Sequence, residues 1–236
     1  TQRRSSAASD VYKRQMYKDL PAGMISLFQS AYNFMKQQID GVNLSGKIVM
    51  ESYINAWFFL YTHQGIFDSD GRYIIVDKYP ETLAMYKALM ERENYRLPIL
   101  YIADSTLDLP LCPSCIDVNI DFFATNEHNF YRRSFFYEEL TPLLKPGAWI
   151  IGTYFYFENG WRSMQKLLSQ YPKCSDNNFS LQYFLKMANE SGIVIDKKEI
   201  CGPSIDSGNN IGFSFHQKGE KLYLLPYTCL LYTSDA

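Results

Sequence analysis

Five short apolar runs separated by stretches of helical character leave this chain few architectures to choose from. The runs are GKIVME (46–51), RYIIVD (72–77), PILYIAD (98–104), CIDVNIDFF (115–123) and GAWIIGTYFYF (147–157). They are apolar almost throughout, so they predict strands buried on both faces. Helical segments fall between them. NAWFFLYTHQ (55–64) and PETLAMYKALMEREN (80–94) are two, the second with Pro80 in its first turn. RRSFFYEELTPLLK (132–145) is a third, stopped by Pro146 and Gly147, and helical stretches follow at 161–170 and 180–191. Strand–helix alternation of this kind builds a parallel sheet with helices on both sides. IVIDKKEI (193–200) and NIGFSFH (210–216) have no helix between them and predict an antiparallel hairpin at one edge. Before the first strand, MISLFQSAYNFMKQQI (24–39) places Ile25, Phe28, Ala31 or Tyr32, Met35 and Ile39 at helical spacing. This helix is expected to act as a lid or outer helix, or as an oligomer contact.

The two ends have a different character. SSAASDVYKRQ (5–15) and CLLYTSDA (229–236) can be back-translated into opposite strands of one transposase-type sequencing adaptor, which they resemble. Residues 1–15 and 229–236 are therefore expected to be adaptor-derived and are set aside from the fold. That leaves an N-terminal helical segment, 16–45, and one domain, 46–228.

Setting the ends aside changes the charge. Without Arg3, Arg4, Lys13 and Arg14 the 23 basic residues become 19, and without Asp10 and Asp235 the 25 acidic residues become 23. The net charge moves from −2 to −4. The only basic arm disappears with them, so no nucleic-acid partner is expected. No apolar run approaches the roughly 20 residues that a membrane span needs. The remaining cysteines are Cys112, Cys115, Cys174 and Cys201. Cys112 and Cys115 form a C-x-x-C, but no second pair follows at ligand spacing, so free thiols in a cytoplasmic protein are expected and no metal.

Three strands end in acids: Glu51, Asp77 and Asp104. Open parallel sheets bind ligands at the carboxyl ends of their strands, near the point where strand order reverses. A strand-end carboxylate also caps helices, so each acid alone has two readings.

The order of elements, the acid closing the second strand, IADSTLDLPL (102–111) and LTPLLKPGAWIIGTYFYF (140–157) together resemble the class I S-adenosylmethionine-dependent methyltransferases. The resemblance covers roughly residues 44–216. It implies a three-layer Rossmann-like α/β fold with a mostly parallel seven-stranded sheet, an antiparallel last strand and N-terminal helices. It implies S-adenosyl-L-methionine as cofactor and a small-molecule substrate. By position, Asp77 matches the acid that accepts from both ribose hydroxyls, with Lys78 beside it. Asp104 and Ser105 match the adenine contacts. Glu51 matches the acid that braces the cofactor loop, and Asp121 and Phe122 match the segment beneath the transferred methyl group.

The chain departs from that family directly after Glu51. The family form is acid-x-G-x-G-x-G, whose glycines let the backbone approach the cofactor. Here the residues are Ser52, Tyr53, Ile54, Asn55, Ala56 and Trp57. Ser52, Asn55 and Ala56 are the candidates to replace the glycines, and Tyr53 or Trp57 would block the pocket if turned into it. FFATNEHNFYRR (122–133) is expected to be a polar, aromatic loop, with His128 as candidate general base. The function expected is methyl transfer to a small molecule. A catalytically degenerate binding or regulatory domain is the alternative, and a nicotinamide oxidoreductase is disfavoured by the missing G-x-G-x-x-G.

Overall fold

The computed structural model describes residues 22–52, 70–92, 95, 98–104, 108–131, 136–154, 180–200, 205–206, 223–224 and 228–234. Its frame is a parallel sheet of five strands: β1 (Ile48–Glu51), β2 (Arg72–Asp77), β3 (Ile99–Ala103), β4 (Ile116–Phe122) and β5 (Leu144–Tyr154). Their spatial order is β3-β2-β1-β4-β5, so strand order reverses between β1 and β4. The helices are α1 (Ala22–Asp40), α2 (Pro80–Arg92), α3 (Ala124–Tyr131), α4 (Phe136–Leu140) and α5 (Leu181–Glu190). This is the Rossmann-like α/β architecture that the alternation of runs predicts.

Burial explains the apolar runs. Val49, Met50, Ile74, Ile75, Val76, Ile120, Ile150 and Ile151 are all buried, with successive residues on opposite faces of the sheet. On one face Met50, Ile74, Val76, Ile102 and Ile150 meet Phe136, Tyr137, Leu140 and Phe184 in a single cluster. Phe184 is its hinge, stacked on Tyr154 at 4.4 Å and edge-on to Tyr137 at 5.8 Å. It is held there by α5, which starts where Ser180 Oγ accepts the Tyr183 N–H at 3.0 Å. On α1, Ala31, Phe34, Met35 and Ile39 are buried, Ala31 rather than Tyr32 taking the inward position, and the helix packs against β5.

Two expectations need correction. The helix expected over 132–145 is described only from Phe136 to Leu140, and a 3-10 turn at Thr141–Leu143 follows it. Pro142 is the reason: it has no N–H to continue the helix, and it sits in the opening turn of the next one. β5 consequently begins at Leu144, earlier than the expected 147. The stretch 122–133 is not a loop either, because Ala124–Tyr131 is helical and Thr125, Asn126 and His128 are buried.

Beyond β5 the sheet continues with antiparallel partners. β6 (Ile193–Ile200) forms as expected, but it pairs with β9 (Thr228–Ser234), which lies between β5 and β6. β9 thus falls almost entirely on the segment set aside as adaptor. The expected strand 210–216 and the helices at 55–64 and 161–170 lie outside the described residues. Residues 205–206 and 223–224 make a small separate ladder, β7 and β8.

Candidate functional site

The register brings the three strand-end acids to one rim. Glu51 pairs with Ile75, so β2 runs two residues further, to Asp77. Asp77 pairs with Ala103, and the next N–H, that of Asp104, donates to the Asp77 carbonyl at 2.9 Å. Glu51 and Asp77 are buried and Asp104 is half-buried. The Asp77 Oδ1 accepts the Tyr79 N–H at 2.8 Å, which turns the chain into α2. The capping role weighed against cofactor contact is therefore present. The Tyr79 N–H takes one of the about four acceptor sites that the two oxygens of a carboxylate have.

The face of the sheet that carries Met50 and Ile150 also holds a polar group. Residues 117, 119 and 121 of β4 alternate with buried Val118 and Ile120. Ser52 Oγ donates to Asn119 Oδ1 at 2.6 Å, across the gap between β1 and β4 where strand order reverses. Ser52 N–H also donates to the Ile120 carbonyl at 3.1 Å. Ser52 is thereby fastened to β4. Among the described residues, Asn119 Nδ2 is buried without a hydrogen-bond partner, as is Thr153 Oγ1. An unmet buried donor is costly, so a polar group bound at this point would relieve it.

Asp121 is enclosed. Its carboxylate accepts from the Thr125 N–H at 3.0 Å, from the Thr125 hydroxyl and from the Tyr137 hydroxyl at 2.6 Å. Burial pushes its carboxyl above the ordinary value, and these donors act in the opposite direction. The Thr125 contacts fold the chain from β4 into α3, with Phe123 at φ 65° in the turn. Gly152 on β5 faces Asp121, and a Cβ there would lie 3.0 Å from the Asp121 Cβ and 3.1 Å from its carbonyl oxygen. Asp121 therefore anchors three elements: β4, α3 and α4. Phe122 is buried on the other face of β4 and rests on Phe123 at 4.8 Å.

His128 is also inside. Its ring meets Phe136 edge-on at 5.6 Å, and its Nε2 lies 3.9 Å from Glu139 Oε1, too far for a hydrogen bond. Lys78 is half-buried with its ammonium 4.9 Å from the Tyr79 ring centre. Asn55, Ala56, Ser105, Tyr53 and Trp57 lie outside the described residues. The sequence reading missed Asn119, Thr125 and Tyr137. The signal for Asn119 was there: IDVNIDF alternates apolar and polar residues inside a central strand. Such alternation requires partners for the polar set, here Ser52, Thr125 and Tyr137.

Comparison with known proteins places this fold. No protein-family model and no curated protein sequence matches the chain. Solved structures do. A SAM-dependent methyltransferase from Aquifex aeolicus aligns over 94% of this chain and 98% of its own, with TM-score 0.59 and 13% identity. Geranyl diphosphate C-methyltransferase from Streptomyces coelicolor A3(2), in complex with Mg2+, geranyl diphosphate and S-adenosyl-L-homocysteine, aligns over 85% of this chain and 78% of its own, with TM-score 0.61 and 8% identity. The cyclase SpnF aligns over 86% of this chain and 80% of its own, with TM-score 0.58 and 11% identity. The fold is that of the class I S-adenosylmethionine-dependent methyltransferases.

Proposed function

We propose that this chain binds S-adenosylmethionine at the carboxyl ends of β1–β3 and transfers its methyl group to a small-molecule acceptor. The observation that carries the reading is the rim of Glu51, Asp77 and Asp104 on three adjacent parallel strands, beside the point of strand reversal. A fold of this kind takes its ligands there. Methyltransferases among the structural neighbours support the choice of ligand.

The residues fit such a molecule. Asp77 would accept from a ribose diol, with Lys78 following it, and Asp104 would stand on the adenine side, with Ser105 next in sequence. Glu51 and Ser52 stand at the end of β1, where the methionine half would lie, and Asn55 and Ala56 follow them in sequence. Phe122 and the unmet Asn119 amide sit on the β4 side. When bound, the sulfonium supplies an already activated methyl group. The protein's part is then to hold the acceptor in line and to keep water out. Asp121 enters as the anchor that fixes the β4–α3 corner. We assign His128, the candidate base, to the same corner, because the transfer needs little acid–base help.

Titrating the full chain with S-adenosylmethionine by calorimetry tests the proposal. Saturable binding that Asp77→Ala weakens is expected. A folded chain that gives no heat with this ligand overturns the reading and leaves a degenerate domain as the better account.

A further inference from the structure

The opposite end of the sheet carries a cleft with its own charge pattern. β4 and β5 fall out of step there: Ile116 pairs with Leu144, but Val118 pairs with Trp149. A step of two residues on β4 thus matches a step of five on β5, and Lys145, Pro146, Gly147 and Ala148 form a bulge. Gly147 takes φ +72°, with nothing among the described residues within 4 Å of where a Cβ would stand. The bulge opens a cleft of about 430 Å³ between the start of β5 and the turn after α1. That volume is within the range of small-molecule sites.

Three charges meet in it. Lys145 Nζ donates to Asp117 Oδ2 at 2.8 Å, and Lys47 Nζ lies 3.7 Å from Asp117 Oδ1. The Ile48 N–H donates to Asp117 Oδ2 at 2.9 Å as well. Asp117 is nearly enclosed, at 11% exposure, while the two lysine side chains are 46% and 41% exposed. The carboxylate thus forms the floor and the ammonium groups stand at the mouth. One carboxylate against two ammonium groups leaves the cleft one positive charge in excess, on a chain whose net charge is −2. Lys47 stands beyond hydrogen-bond distance of Asp117, so its ion pair commits none of its three N–H donors to that carboxylate.

We propose that this cleft binds a small phosphate-bearing ligand, its anion held between Lys47 and Lys145 with Trp149 and Asn43 as walls. Attraction to a fixed excess charge grows with the charge of the ligand, which favours a phosphate dianion over a monocarboxylate. The site is formed by the amino ends of β1, β4 and β5, and it does not depend on the reading of the carboxyl ends.

Inorganic phosphate is the probe, titrated into the full chain by calorimetry at constant ionic strength and about pH 8, where phosphate is mostly dianionic. Saturable one-site binding is expected. Lys47→Gln should weaken it at least tenfold. Asp117→Asn keeps an acceptor for the Ile48 N–H and removes the competing negative charge, so it should tighten binding severalfold. S-adenosylmethionine affinity should be the same in all three proteins. Heat that does not saturate in the unmodified chain overturns the proposal, as does phosphate affinity that neither substitution changes. Opposite responses in the two variants separate a built site from general attraction to lysines.

Discussion

Two aspartates four residues apart on β4 are held in opposite electrostatic states. At Asp117, burial would raise the carboxyl pKa, but the Ile48 N–H, the Lys145 hydrogen bond and the charges of Lys145 and Lys47 outweigh it, and the result lies below the ordinary 3.8. At Asp121 burial prevails over Thr125 and Tyr137, and the result lies above 3.8. The signs follow by linkage. Asp117 contributes stability above the unfolded value, and that contribution is lost as pH falls through the folded one. Asp121 favours the protonated state in the fold, and its hydroxyl neighbours can turn to accept its proton. Its ionisation therefore costs stability as pH rises from the ordinary carboxylate range through its folded value. Denaturant unfolding of both Asn variants checks this. Relative to Asp121→Asn, the unmodified protein should gain stability as pH falls from 7 towards 4. Relative to Asp117→Asn, it should lose stability below about pH 4. At the rim, Asp77→Ala should weaken S-adenosylmethionine binding by about 1.5–3 kcal/mol, the cost of removing a charged acceptor from a ligand diol. Equal affinity in a folded Asp77→Ala protein would place the ligand elsewhere.

Elements were legible in the sequence where one physical rule acted alone. β2 and α2 follow from a continuous apolar run and from a proline-started helix, and both appear within two residues of the expected bounds. The helix after β4 was hidden because its residues, ATNEHNFY, are polar and aromatic without a stripe. Its formation depends on Asp121 accepting from Thr125, a tertiary circumstance that no local pattern displays. The same corner explains Gly152, which reads in sequence as a weak point of a strand but is where β5 passes the Asp121 backbone. Gly152→Ala should destabilise by about 1–3 kcal/mol, since two backbones must separate to admit a methyl group. Ser180→Ala should cost about 1 kcal/mol by removing the α5 cap, which orients Phe184. Thermal unfolding of the two variants gives the order, with Gly152→Ala the lower. The acids at the strand ends were readable because strand length and chemistry coincide there. The lysine-lined bulge was not, since LKPG announces a turn and says nothing of what the turn encloses.

At the scale of the whole molecule, one strand position carries two claims. β9 hydrogen-bonds to β5 from Trp149 to Tyr154 and to β6 from Ile193 to Ile200, and it fills the place between them. The occupant, Thr228–Ser234, is written almost wholly in residues that resemble translated adaptor. NIGFSFH (210–216) is the same length and alternates Ile211, Phe213 and Phe215 with small or polar residues, as a strand with one covered face does. If the end is adaptor, 210–216 is the strand meant for that place, and β9 holds it only when present. Deleting residues 229–236 should then leave the melting temperature nearly unchanged. Amide exchange should also show protected N–H groups in 210–216 of the shortened chain. If Thr228–Ser234 is an integral strand, the deletion strips β5 and β6 of their shared partner. A sheet opened at that point exposes two unpaired edges. The melting temperature should then fall by several degrees, roughly 3 °C for each kcal/mol lost in a domain of this size. Protection in 210–216 together with an unchanged melting temperature assigns the place to the native segment, and a large fall removes the adaptor reading of the C-terminal end.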